Sequence, residues 1–300
     1  MMMSHEVRVL HIGLGRLGTL LAQALAAQGW VVYPARRHPT EADSGVLALD
    51  AARPWAPVLT AAAVQPTDVV LCLAPGGRTL GEYQQAYEQP ALAGLAWCQQ
   101  YAPQAHVWLI SSTSVYAQSE GEWVDEASVA EPKRATAQCI RKAEQIWLES
   151  PQPATVLRLA GLYGPGREAL LRQAAQGIIS AKPIYTNRIH VNDVARALVH
   201  LLQRRHQGWP VAPIYNVADQ DPEALQVILP ALRQALGWPE PIAAERVQRG
   251  SKRVSAQALL ATGLTWQFPS WRQGYAELLQ TKRAAGITAQ MQLAMSAPSR

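Results

Sequence analysis

The stretch "HIGLGRLG", residues 11–18, constrains the fold of this chain more than any other segment. It follows the compact apolar run "EVRVL", which reads as a buried strand. Leu17, Leu20, Leu21, Ala24 and Leu25 then recur at helical spacing, and Gly29 ends that helix. Strand, glycine turn and helix therefore follow one another directly, with glycines at 13, 15 and 18. Gly13 permits the tight turn, Gly15 lets the backbone approach a pyrophosphate, and Gly18 lets helix and strand pack closely. The helix N-terminus faces the anion. A glycine-rich turn without a ligand is the plainer alternative, and the strand–turn–helix context weighs against it.

The apolar runs that follow repeat the same theme. "WVVYPAR", "GVLALD", "DVVLCLAP", "HVWLISS" and "ATVLRLAG" read as strands, with helical stretches at 83–101, kinked or interrupted at Pro90, and at 132–149. Alternation over roughly the first 160 residues predicts an α/β fold of Rossmann type, a doubly wound parallel sheet covered on both faces. Past Gly161 the pattern loosens: 192–203 and 223–236 look helical and "PIYNVA" looks like a strand. The expected organisation is a Rossmann core over 1–160 to which about 188–220 returns, and a smaller C-terminal α/β substrate lobe over 161–187 and 221–285. Residues 286–300 read as a disordered tail or an extra helix. A chain of 300 residues that is 49% hydrophobic can bury cores of that size.

The second strand narrows the ligand. Where an NAD site carries an acidic residue for the ribose 2′-hydroxyl, this chain has Arg36 and Arg37. Two guanidinium groups suit a 2′-phosphate, so NADP(H) is expected in preference to NAD(H); two solvated loop arginines are the alternative. Leu14, Arg16 and Leu17 complete the glycine segment. Asp50 is placed to accept from an adenine amino group or to cap a helix. Ala74 and Pro75, at the end of the fourth strand, would floor the cofactor site.

Composition excludes several other classes. The formal charge of +5 comes without a Lys/Arg block, so no nucleic-acid partner is expected. No apolar run approaches the ~20 residues of a membrane span, and the "MMMSHE" opening does not resemble a signal peptide. Cys72, Cys98 and Cys139 are widely spaced, as in a cytoplasmic protein with reduced thiols, and no His/Cys spacing suits a metal. Ten tryptophans against one phenylalanine carry no functional message that the sequence reveals.

"IGLGRLG", "DVVLCLAP", "ISSTSVYA", "VDE", "LRLAGLYGPGR", "RIHVNDVARAL" and "IYNVAD", in that order, resemble the extended short-chain dehydrogenase/reductase family, specifically its NAD(P)-dependent epimerase/dehydratase group. The likeness is to its atypical, YeeZ-type members. It implies that Ser112 bonds the reacting substrate oxygen, although a strand-end serine can equally satisfy local backbone groups. It also implies cofactor contacts from Ser111 and from Leu162 and Tyr163. The family's tyrosine, lysine and later glutamate lie at four-residue steps on one helix face. Taking Glu144 as the glutamate puts Ile140 at the lysine position and Thr136 at the tyrosine position. Threonine has too high a pKa for the phenolate's task, and isoleucine has no charge. Arg141, Lys133, Tyr116 and Tyr163 are candidate substitutes, each more simply read as a solvated charge or a packed aromatic. Gly161 stands where the family commonly has asparagine. The resemblance implies an NADP(H)-binding oxidoreductase or epimerase with a small-molecule substrate, as a homodimer; the alternative is a non-catalytic NADP(H) sensor.

Overall fold

The computed structural model describes residues 6–180, 183–237, 243–245 and 250–284. The expected tail at 286–300 lies outside them. The described residues divide into two compact units. One draws on Met1–Ala117, Ser128–Leu159 and Ala195–Tyr215; the other draws on Gln118–Ala127, Ala160–Val194 and Asn216–Arg300.

Seven strands form the sheet of the first unit: β1 Arg8–Ile12, β2 Val31–Arg36, β3 Leu47–Ala48, β4 Asp68–Leu71, β5 His106–Ser112, β6 Ala154–Leu159 and β7 Ile214–Val217. Their spatial order is β7-β6-β5-β4-β1-β2-β3. β1 runs parallel to both β2 and β4, as do β2 with β3, β4 with β5 and β5 with β6. The chain order therefore reverses at β1, between β4 and β2, where ligands bind in sheets of this kind. Pro34 sits within β2, yet β3 pairs only with Ala35 and Arg36, so the proline lies beside an open edge.

The helices α1 Arg16–Ala26, α2 Gln89–Tyr101, α3 Ala135–Leu148 and α4 Val191–His206 match the helical spacing in the sequence. The expected disturbance at Pro90 takes a specific form. A π-helical turn, Gln84–Glu88, immediately precedes α2 and relieves the clash a proline ring makes one turn back. Three of the tryptophans supply core volume: Trp55, Trp97 and Trp147 are buried together in the first unit's core. Gly94 on α2 admits them, since a Cβ there would meet the Trp55 ring at 2.5 Å.

The second unit is built from short paired strands: Gly161–Tyr163 with Arg188–His190, Glu122–Val124 with Lys252–Val254, Tyr185–Thr186 with Glu223–Ala224, and Ile178–Ser180 with Ala243–Glu245. Its core gathers Tyr163, Leu170, Leu225, Ile228, Trp271 and Tyr275. Asp193 does not cap α4. It lies inside the first turn, and its carboxylate accepts from the Gln267 and Phe268 backbone at 2.7 and 2.9 Å, fastening the 267–268 loop. Among the described residues no helix is long and apolar enough to cross a membrane.

Candidate functional site

The glycine turn is built on contacts that only glycine permits. Gly13 has φ +104°, and a Cβ there would collide with the Cys72 carbonyl at the end of β4. A Cβ at Gly18 would collide with the Gly13 carbonyl, whereas Gly15 has open space around it. α1 begins at Gly15 with no side-chain cap and no acidic residue in its first turn. That turn keeps the anion-attracting end of the helix dipole unneutralised by a carboxylate. The Leu17 side chain is buried, which leaves its backbone as the part that faces the turn.

Beside this turn lies a cleft of about 220 Å³ within the first unit. It brings together six expected residues: Gly13, Arg36, Arg37, Asp50, Ala74 and Pro75. Arg36 donates from Nη1 to Asp43 Oδ2 at 3.3 Å, while the Thr40 backbone and hydroxyl donate to the same oxygen at 2.7 and 2.9 Å. These two Thr40 bonds, chiefly, hold the Asp43 carboxyl below the usual range. Asp50 accepts from the Ala52 backbone at 3.1 Å, an Asx turn, so it faces the cleft without capping a helix.

Leu49, Gly76, Glu82 and Gln85 also line the cleft and were not anticipated. Glu82 had a readable signal. Thr79 and Glu82 form a reciprocal capping box at the helix Leu80–Tyr83, a Thr-x-x-Glu spacing visible in the sequence.

The expected catalytic helix, α3, packs against β5 and the turn Thr113–Val115 that follows it. Ser112, half-buried at the end of β5, accepts from the Ser114 backbone at 3.1 Å. Its hydroxyl hydrogen remains available for donation. Thr136 is half-buried and Ile140 is buried, 4% exposed, so the position expected to match the family's lysine offers only packing. Glu144, next on the same face, is fully buried and receives Arg158 in bidentate fashion, Nε at 3.0 Å and Nη2 at 2.8 Å. Arg158 Nη1 also donates to the Tyr116 hydroxyl at 2.9 Å.

This network accounts for two expected contacts. Ser111, expected at the cofactor, is buried and directs its hydroxyl to Glu144. Arg141, considered as a substitute cation, donates from Nη1 to Glu144 at 3.2 Å and from Nε to the Ala130 carbonyl at 3.1 Å. Tyr116 is buried on Arg158 and presents no hydroxyl at the surface.

Leu162 and Tyr163 belong to the second unit. The Tyr163 ring is buried in that unit's core, stacked on Tyr275 with centroids 4.6 Å apart, and burial foremost pushes its phenol upward. Any contact it makes with a ligand is therefore through its backbone, while Leu162 is half-buried.

A profile of the NAD dependent epimerase/dehydratase family matches residues 13–218, from the first glycine of the turn to the end of β7 and just beyond. The chain belongs to that family. Protein YeeZ of Escherichia coli K12 is 28% identical over 283 residues, covering 87% of this chain and 96% of YeeZ. A Methylobacillus flagellatus structure provisionally described as an NAD-dependent epimerase/dehydratase is 32% identical, with a TM-score of 0.78 over 93% of this chain and 99% of that one. The human epimerase family protein SDR39U1, solved with NADPH, is similar in fold only: 20% identity and a TM-score of 0.72 over 91% of this chain and 99% of that one. The chain is thus an extended short-chain dehydrogenase/reductase of the YeeZ-like type.

Proposed function

We propose that this chain is an NADP(H)-binding oxidoreductase or epimerase of the nucleoside-diphosphate-sugar epimerase/dehydratase class, working without the usual Tyr-x-x-x-Lys pair. The observation that carries this reading is the cleft in which Gly13, Arg36, Arg37 and Asp50 meet. The donor set fits such a cofactor. The uncapped α1 terminus suits a pyrophosphate, and the two arginines suit a 2′-phosphate. Asp50 suits an adenine amino group. Structures of this fold hold NAD or NADPH, so the choice between the two rests on the arginines alone.

Bound NADP(H) supplies or accepts a hydride at its nicotinamide ring. Ser112 at the end of β5 donates its hydroxyl hydrogen to the substrate oxygen that gains charge. Thr136 offers a hydroxyl of too high a pKa to act as the family's phenol, and Ile140 offers no charge. Arg158 and Glu144 hold α3 in place and do not exchange protons with substrate, because both are buried.

A second reading, a non-catalytic NADP(H) sensor, draws support from the burial of Ile140 and the commitment of Ser111 and Arg141 to Glu144. Two measurements test the pair. Titration with NADPH and NADH, read by nicotinamide fluorescence, should show NADPH binding at least about tenfold tighter. That preference should vanish in Arg36→Ala/Arg37→Ala, at the scale of one or two charge-assisted hydrogen bonds. Equal binding of both cofactors, or tighter NADH, removes the NADP(H) assignment. If turnover is found, Ser112→Ala should lower it more than about tenfold; unchanged turnover removes Ser112 from the chemistry.

A further inference from the structure

The second unit carries an arginine in an unusual setting. Gly161 and Arg188 are register partners on adjacent parallel strands, so side chains at the two positions rise from the same face. Gly161 is exposed and has no side chain, and Arg188 fills the space one would take. A Cβ built at Gly161 would lie 2.6 Å from Arg188 Nη1 and 2.9 Å from the Asn187 carbonyl. The amide that family resemblance places at position 161 is thus replaced by a guanidinium arriving from the neighbouring strand.

That guanidinium is held rather than loose. Nη2 donates to Thr186 Oγ1 at 3.1 Å and Nη1 to the Asn187 carbonyl at 3.5 Å. Thr186 in turn donates to the Glu223 carbonyl, and the Asn187 side chain is clamped between Lys252 O and Val254 N. Arg188 is 8% exposed, so most of its hydration is lost while its tip lies beside an exposed glycine. Asp219, Asp221, Asp193, Glu168, His190, Tyr163 and Tyr275 are among the titratable groups of this region. Burial foremost raises the Asp219 carboxyl well above its usual range, while Arg188 pulls it down. Asp193 is occupied by the 267–268 backbone.

We propose that Arg188, laid across the bare Gly161, is an oxyanion subsite of the second unit that takes the carboxylate or phosphate group of a small molecule. A planar, pre-oriented guanidinium is the side chain best matched to either group, and desolvation strengthens the contact. Gly161 is what gives the anion access, and Arg188 supplies the charge. Joined to the proposed function, this makes the substrate an anion. That extension rests on the enzyme reading, whereas the subsite itself does not.

Calorimetric titration of the full chain with inorganic phosphate and, separately, with malonate tests the subsite without requiring turnover or cofactor. Protein with Arg188 and Gly161 intact should bind at least one of them, and the tighter of the two identifies a phosphorylated or a carboxylated ligand. Arg188→Gln should weaken that binding at least about tenfold, the scale of a lost charge-assisted contact. Gly161→Ala keeps the charge but displaces the guanidinium tip, and it should weaken binding as well, which decides the matter if Arg188→Gln fails to fold. Each titration is run in the Arg36→Gln/Arg37→Gln background, so that the proposed 2′-phosphate site adds no heat of its own. In that background the subsite is refuted by unchanged affinity in both Arg188→Gln and Gly161→Ala, or by no heat with either anion. Failure of NADPH to bind, measured separately, would sink the proposed function and leave this result standing.

Discussion

Replacing Arg158 by methionine should be among the most damaging single changes to the first unit. Glu144 is fully buried and Arg158 is 1% exposed, and the pair is bidentate. Arg158→Met removes the main counter-charge and leaves the carboxylate with Ser111 and the partly exposed Arg141. Breaking a buried pair from one side costs about 3–5 kcal/mol, because an uncompensated charge stays in the interior. For a unit of this size each kcal/mol moves Tm by about 2–4 °C, so the variant should melt about 6–20 °C lower. The double variant Glu144→Leu/Arg158→Met removes both charges and should recover most of that loss. Urea denaturation of wild type, both single variants and the double variant yields the coupling energy. A cost below about 1 kcal/mol for Arg158→Met, the value of a solvent-exposed pair, would refute the reasoning. So would a double variant as unstable as the sum of the singles.

Three further outcomes follow from the same packing. His11 and His106 are buried, and desolvation foremost pushes both down to about 4. Between pH 6.5 and 4 the unfolded chain therefore binds protons that the folded one refuses, and stability should fall with pH by up to about 3 kcal/mol per histidine. A urea midpoint that is flat across this window would contradict it. Asp219 has the opposite sign: its raised carboxyl lowers stability as pH climbs from the ordinary carboxylate range toward its folded value. Asp219→Asn should melt higher than wild type at pH 7–8, with the gain vanishing near pH 4; a gain independent of pH would rule out ionisation as its cause. Gly94→Ala drives a methyl group into the Trp55 ring and should cost about 1–3 kcal/mol in thermal denaturation. A neutral result would mean that the ring yields freely.

The local grammar of the chain was enough for the frame. The glycine turn, the buried strands and the helices after them all follow from residues within a few positions of one another, where backbone sterics and periodicity act. The convergence of Arg36, Arg37 and Asp50 on one cleft likewise follows from their places at strand ends. Direction was harder to read. Ser111 and Ser112 are neighbours, yet one hydroxyl turns to buried Glu144 while the other accepts a bond from the turn that follows. Tyr163, a candidate hydroxyl more simply read as a packed aromatic, has its ring in the second unit's core.

What only the tertiary structure decided are the pairings between distant segments. Glu144 finds Arg158 on another element, and Arg188 reaches Gly161 across a strand pair. Trp55, Trp97 and Trp147, silent in the sequence, converge on one core. The physical reason is the same in each case. Periodicity and turn chemistry depend on near neighbours, so the sequence alone determines them. Burial, charge pairing and the space left by an absent side chain depend on what packs opposite, and that partner is set only when the whole chain closes.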